Sequence, residues 1–270
     1  MVERVTKDKG HVQTQQLALF GHPVAHSQSP KIHQGFAAQF DLNINYQLID
    51  VMTEQLGEKV RGFFAQGGVG ANITVPHKQN IIPVLDQISD RAQLAGAVNT
   101  LYYKDNQLWG DNTDGAGFVM DLYNKGVIVK GQSILIIGAG GASKGIIPAL
   151  LAEQPKQIHI TNRSIDKAIA LADQFEVCDA VTDETVHNGY DLIIHATSMG
   201  HQGLCPNLNA GWFKAQTVVY DLSYGDAAEP FLNAAKAHGS SQVYDGLGML
   251  YGQAALAFAV WFDEQPFVAP

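Results

Sequence analysis

Cysteine is scarce in this chain: Cys178 and Cys205 stand alone among 270 residues. Two isolated cysteines exclude a disulfide-stapled fold and lead us to expect a reducing, cytoplasmic setting. Charge is thin as well, at 16%, and the 17 basic residues are outnumbered by 26 acidic ones, for a net charge of −9. No basic cluster reaches the scale that a phosphate backbone or an anionic membrane demands, so neither nucleic acid nor membrane is an expected partner. Long apolar runs are missing too. The best, Gly246–Trp261, is broken by Gly248, Gly252 and Gln253, short of the roughly 20 apolar residues a spanning helix needs. There is no repeat, no low-complexity tract and no signal-peptide pattern; Met1–Gln16 is polar and charged and reads as an extension. What is present, 46% hydrophobic residues over this length, suffices for two domains with substantial cores. Any anion bound by so acidic a chain must rely on a few local cations, which draws attention to Lys31, Lys78, Lys144 and Arg163.

The most informative stretch is SILIIGAGGASKG, Ser133 to Gly145. Ser133–Ile137 has the apolar, β-branched pattern of a buried strand, and a helix-compatible segment opens near Ala142. Gly138, Gly140 and Gly141 lie between them. A strand that breaks on glycines and reopens as a helix presents unpaired N–H groups and the positive end of a dipole, a site for a pyrophosphate. Ser143 occupies the place of the third glycine of G-x-G-x-x-G, and a plain glycine turn is the alternative. Gln157–Arg163 reads as the next parallel strand, ending about 20 residues on, where the ribose is read. Asn162, Arg163 and Ser164 stand there instead of an acid. A guanidinium favours a ribose carrying a 2′-phosphate, hence NADP; a solvated charge opening a helix is the plainer reading.

Strands are expected from Leu17, over Ile44–Val51 and through GVGANITVP to Pro76, with helices from Pro30 (Ser29 as N-cap) and over Glu54–Gln66. AVNTLYY and QLWGDNTDG read as a hairpin turning at Asp105-Asn106, and Gly115–Lys125 as a helix. Strand–helix alternation then continues to a last, nearly all-apolar helix at Gly248–Trp261, the pattern of a doubly wound α/β fold. Four polar clusters fall at strand ends or in loops: Ser27 and Ser29, Asn72 to Lys78, Asn99 and Thr100, and Asn112 to Asp114. Each alone has a plain explanation as a cap, turn or surface charge, with Asp114 capping a helix. Together they resemble the lining of a pocket for a small polyhydroxylated acid. His22 and His26 have i, i+4 spacing, but Gly21 and Pro23 argue against a helix there, and neither cysteine has a ligand partner, so no metal is expected.

From Leu17 to about Trp261 the sequence resembles the shikimate dehydrogenase family. The motifs are SQSP (Ser27–Pro30), GANITVPHK (Gly70–Lys78), GAVNTL (Gly96–Leu101), GDNTDG (Gly110–Gly115), GAGGAS (Gly138–Ser143), TNRS (Thr161–Ser164) and DGLGMLYGQAA (Asp245–Ala255). The resemblance implies reversible NADPH-dependent reduction of 3-dehydroshikimate to shikimate, on the route to chorismate and the aromatic amino acids. It implies Lys78 and Asp114 as the catalytic pair, with Ser27, Ser29, Thr74, Asn99 and Gln253 holding the substrate and Tyr224 beside it. Gly138, Ala139, Gly140, Gly141, Ala142, Ser143, Asn162, Arg163, Ser164, Lys167, Leu222 and Gly246 would line NADP(H). It implies an α/β substrate domain (17–114 plus 247–270) and a Rossmann-type NADP domain (115–246) with the cleft between them, and residues 1–16 as an extension.

Two motifs depart from the family pattern. The usual N-A-T-S is here HATS, so His195 replaces an asparagine near the cofactor, and either altered hydrogen bonding on the nicotinamide side or a simple strand end accounts for it. Gly21–Pro23 carries His22 where Asn or Asp is usual. Two rivals are kept: a quinate/shikimate dehydrogenase using NAD or both cofactors, and a non-catalytic module sensing NADP or a pathway acid. Ser27, Ser29 and the absence of a carboxylate at Ile165 favour shikimate and NADP. Retention of both Lys78 and Asp114 favours catalysis. Monomer and homodimer are both allowed.

Overall fold

The computed structural model describes residues 13–182 and 189–268. Its first half runs β1 (Gln15–Gly21), α1 (Ser29–Gln39), β2 (Ile44–Asp50), α2 (Leu56–Ala65), β3 (Gly68–Ile73), β4 (Gln87–Ile88), α3 (Asp90–Ala95), β5 (Thr100–Lys104) and β6 (Gln107–Asp111). These strands form one sheet in the order β2-β1-β3-β5-β6-β4, with β1 parallel to β2 and β3, and β5 antiparallel to β3 and β6. Asp105 and Asn106 make the β5–β6 turn with φ of 52° and 59°, the left-handed pair that a two-residue hairpin turn requires and that Asp and Asn tolerate.

The chain then passes through α4 (Asp114–Asn124) into β7 (Ser133–Ile137), α5 (Gly141–Ala152), β8 (Gln157–Thr161), α6 (Ile165–Ala172), β9 (Cys178–Ala180), β10 (Leu192–His195), β11 (Val218–Asp221), α7 (Glu229–Ala237), β12 (Gln242–Tyr244) and α8 (Leu247–Phe262). The second sheet is wholly parallel in the order β12-β11-β10-β7-β8-β9, the doubly wound order of a Rossmann-type domain. Burial on both faces explains its strands: Ile134, Ile136, Ile158 and Ile160 face one apolar cluster, whereas Leu135, Ile193 and Val219 face another built around Trp212 and Phe231. Strands covered on both sides read as continuous apolar runs. Among the described residues no helix is long and apolar enough to cross a membrane.

Helix α8 returns to the first sheet. Its Phe258 packs with Ile32 and Phe36 of α1, and Trp261 Nε1 donates to Leu101 O at 3.0 Å. It also crosses α4 in backbone contact: a Cβ on Gly117 would lie 2.3 Å from Gln253 N, and one on Gly252 would lie 2.6 Å from Gly117 O. Only glycine at the crossing lets the two helices approach this closely.

Several boundaries differ from expectation. Gln15 and Gln16 pair with Ile44 and Asn45, so the first strand begins inside the supposed extension; residues 1–12 lie outside the described residues. Ser29 is not an N-cap but the first residue of α1, after Gln28. Gln28 makes no side-chain capping bond; the hydroxyl that engages the helix start belongs to Ser27, one residue before the cap, and accepts from Ser29 N at 3.2 Å. The Glu54–Gln66 helix is split into a 3₁₀ turn at Thr53–Gln55 and α2. Asp114 opens α4 without capping it, because its carboxylate is engaged elsewhere.

Candidate active site

The strand ends of the first sheet converge on a cavity of about 510 Å³. Ser27 and Ser29 enter from the start of α1, Asn72 and Thr74 from the end of β3, and Lys78 from the turn beyond it. Asn99 comes from the approach to β5, Asp114 from the first residue of α4, and Gln253 from α8. The opposite wall, from the second sheet's loops, carries His201, Leu222, Tyr224 and Gly246.

Lys78 Nζ donates to Asp114 Oδ2 at 2.7 Å, with the lysine side chain 31% and the aspartate 16% exposed. Lys78 is held at its backbone, where its carbonyl accepts from Val98 N at 2.8 Å. The preceding His77 is fully buried and its Nε2 bonds to Val51 O at 2.7 Å. The other oxygen of Asp114 accepts from Asn99 Nδ2 at 2.9 Å. Asn99 is buried and saturated: its amide nitrogen also reaches Thr113 Oγ1 at 2.9 Å and Gln253 Oε1 at 3.3 Å, while its oxygen accepts from Thr113 N and Thr100 Oγ1. Asn99 thus ties the start of α4 and the middle of α8 to the first sheet, and Tyr46 OH completes the network by donating to Asn72 Oδ1 at 2.7 Å. Behind Asp114 lies a second clamp. Arg91 grips Asp111 through two bonds of 2.6 and 2.5 Å, and Ser89 and Asn112 N add to them. Burial works to raise the Asp111 pKa, but the Arg91, Ser89 and Asn112 N–H bonds outweigh it and hold the carboxyl below its usual range.

The glycine-rich loop sits at the carboxyl end of β7. Gly138 has φ of 121°, which favours glycine, and Gly140 precedes the first turn of α5. A Cβ added to Gly140 or Gly141 would meet nothing within 4 Å, so the helix start opens onto space instead of protein. Its leading N–H groups lack intrahelical partners. Ser143 is fully buried and donates to Gly138 O at 2.7 Å, which explains how serine fits where the third glycine would stand. Asn162 Oδ1 accepts from Ala139 N at 3.3 Å, and its amide donates to Ser164 O at 3.0 Å, tying the loop to the end of β8. Arg163, Ser164 and Lys167 are exposed beside it, with Asp166 as the one acid in that turn. An open helix start flanked by two cations fits a dinucleotide with a phosphorylated ribose.

Residues 19–101 match the family profile of the shikimate dehydrogenase substrate binding domain, and residues 123–223 that of shikimate / quinate 5-dehydrogenase. The shikimate dehydrogenase (NADP(+)) of Aeromonas salmonicida is 46% identical over 252 residues, 92% of each chain. The chain belongs to the shikimate dehydrogenase family. Among solved structures, the shikimate 5-dehydrogenase of Thermus thermophilus in complex with NADP(H) and shikimate is similar to this family member with a TM-score of 0.85 and 34% identity, covering 94% of this chain and 95% of its own. A 5-ketofructose reductase of Gluconobacter superposes with the same TM-score of 0.85 at 30% identity, covering 94% and 95%.

In this dehydrogenase the residues expected from sequence fall into two groups. Ser27, Ser29, Thr74, Lys78, Asn99, Asp114, Tyr224 and Gln253 share the cavity, and Leu222 and Gly246 join them from the other lobe. Gly138–Ser143 and Asn162–Lys167 lie outside its lining, along the carboxyl ends of β7 and β8. His26, His201 and Met249 also line the cavity and were not anticipated. Only the position of His201 in the loop after β10 could have signalled it. His195 proves to be fully buried at the end of β10, bonded to Asp221 and Thr197.

Proposed function

We propose that this chain carries out the family reaction, NADPH-dependent reduction of 3-dehydroshikimate to shikimate and its reverse, with Lys78 and Asp114 as the catalytic pair. The observation carrying the assignment is the 2.7 Å Lys78–Asp114 bond at a cavity walled by the second lobe's Leu222, Tyr224 and Gly246. Bound NADPH supplies the hydride. The Lys78 ammonium faces the oxygen that becomes an alkoxide and gives it a proton or stabilises its charge; Asp114 fixes the lysine and accepts a substrate hydroxyl. The hydroxyls of Ser27 and Ser29, already 3.1 Å apart, suit a carboxylate of the ring acid. Thr74, Tyr224 and Gln253 complete the cradle. Asn99 lines the same cavity and would hold the substrate, while its amide nitrogen also orients Asp114 at 2.9 Å and Gln253 at 3.3 Å. Such preorganisation lowers the barrier by several kcal/mol, order of magnitude, before any proton moves.

Gly138–Ser143 would cradle the pyrophosphate, while Asn162, Arg163, Ser164 and Lys167 would hold the phosphorylated ribose. The division into 17–114 plus 247–270 and 115–246, with the first boundary moved back to Gln15 where β1 starts, belongs to the same proposal, as do a cytoplasmic location, suggested by the two lone thiols, and a monomer or homodimer. Because a ketofructose reductase shares the architecture, the substrate must be tested directly. Turnover of shikimate and of quinate, each with NADP+ and with NAD+, should show shikimate with NADP+ far ahead. Equal use of quinate or NAD+ would shift the assignment to the dual-specificity reading, and binding without turnover would end it.

A further inference from the structure

His195 closes β10 at the point where strand order reverses, facing Ile137 of β7 on one side and Asp221 of β11 on the other. Open α/β sheets take their ligands at this junction. Neither the His195 nor the Asp221 side chain has any exposed surface. His195 Nδ1 meets Asp221 Oδ2 at 2.8 Å, Nε2 meets Thr197 Oγ1 at 2.6 Å, and the ring lies 4.6 Å from that of Phe231. A carboxylate only accepts, so Nδ1 carries a proton. Nε2 is bridged to the Thr197 hydroxyl, which can both donate and accept. Thr197 Oγ1 in turn accepts Met199 N at 3.3 Å, and the second Asp221 oxygen accepts Ser223 N at 2.8 Å.

One imidazole therefore joins two loops. The loop after β10 bears His201 and the loop after β11 bears Leu222 and Tyr224, all on the cavity wall. Thr197 also touches the glycine-rich loop, since a Cβ on Gly138 would meet Thr197 Cγ2 at 2.9 Å. We propose that His195 is a positioning residue: by coupling Asp221 to Thr197 it holds the loops after β10 and β11 as one unit against the glycine-rich loop, and so sets affinity for the dinucleotide. The proposal rests on the NADP reading above.

The two ring nitrogens can be separated by substitution. Asparagine reaches about as far as Nδ1, so His195→Asn keeps a partner for Asp221 and drops Thr197. Thr197→Val removes the same bond from its other end while keeping the methyl contact. In the ligand-free protein, NMR of the histidine ring nitrogens should report an Nδ1–H ring for His195 in the parent and in Thr197→Val. Each single substitution should raise the equilibrium Kd for NADP+ roughly fivefold, the worth of one hydrogen bond. The double substitution should be no weaker than either single, with the KM for shikimate at saturating NADP+ within about twofold and the melting temperature lowered by a similar few degrees in each single and no further in the double. Parent-like Kd values in both singles, or losses that multiply in the double, would overturn the proposal. A parent that binds no NADP+ would overturn the cofactor reading and the proposal with it.

Discussion

Replacing Lys78 by methionine removes the ammonium while keeping most of the stem. The lost bond spans 2.7 Å, and the lysine is about a third exposed. A hydrogen bond to a charged group contributes about 1.5–3 kcal/mol when dry, and solvent screening at this exposure reduces that to roughly 1 kcal/mol. Asp114 keeps its 2.9 Å bond from Asn99, so the carboxylate stays in place and the melting temperature should drop only about 2–4 °C. The chemistry should suffer far more. A positioned proton donor is worth about 10²–10⁴-fold, or about 2.7–5.4 kcal/mol of barrier. We therefore expect kcat to fall at least about 100-fold, with the KM for shikimate within a few-fold. Initial rates followed by NADPH absorbance, alongside a thermal melt, measure both. A folded variant turning over within about threefold of the parent would remove Lys78 from the reaction and with it the assignment of the pair.

Arg163→Ala should raise the KM for NADP+ about tenfold or more while barely moving that for NAD+, because only the former carries the group a guanidinium grips; equal losses would show that Arg163 does not read the phosphate. His33 is fully buried against Tyr46 (ring centroids 4.9 Å apart) and near Trp261, with neither ring nitrogen hydrogen-bonded. Burial drives its pKa from 6.5 down to about 3, with the nearby Asn72 side chain acting in the opposite direction. Between those values the unfolded chain binds a proton there and the native chain does not, so stability is whole above pH 6.5 and declines as pH falls, by about 2 kcal/mol at pH 5. His33→Phe should flatten that acid limb in urea melts at the two pH values, and an unchanged slope would refute the cause. Gly117→Ala puts a methyl 2.3 Å from Gln253 N and should cost about 1–3 kcal/mol while raising the KM for shikimate through Gln253; a parent-like melt would show that the crossing can relax.

Local chemistry made much of the fold legible. The β-branched runs at Ser133–Ile137 and Gln157–Thr161 are strands because both faces of their sheet are covered, and Asp105-Asn106 turns because those two residues tolerate positive φ. What joins distant segments was not legible from spacing. Lys78 and Asp114 lie 36 positions apart, and only the family resemblance paired them. Ser29 is the first residue of the helix and not its cap, because the backbone turns helical one residue earlier than the Ser-x-Ser-Pro stretch suggests, which leaves Gln28 at the cap. The His195–Asp221 contact depends on β10 and β11 being neighbours in register, and the α4–α8 crossing depends on two glycines that look like helix breakers when read locally. The glycine-rich loop was readable because strand, turn and helix start are contiguous in sequence.

The return of α8 has a consequence for how the protein is made. Synthesis proceeds from the first strand onward, and domains generally fold as units when complete. A nascent chain halted after β12 possesses every strand of the parallel sheet, yet its earlier sheet still lacks Phe258 over α1, Trp261 on Leu101 and Gln253 beside Asn99. The sheet whose strands come earlier is thus finished later, and until α8 has emerged the cavity lacks the wall that carries Met249, Leu250 and Gln253.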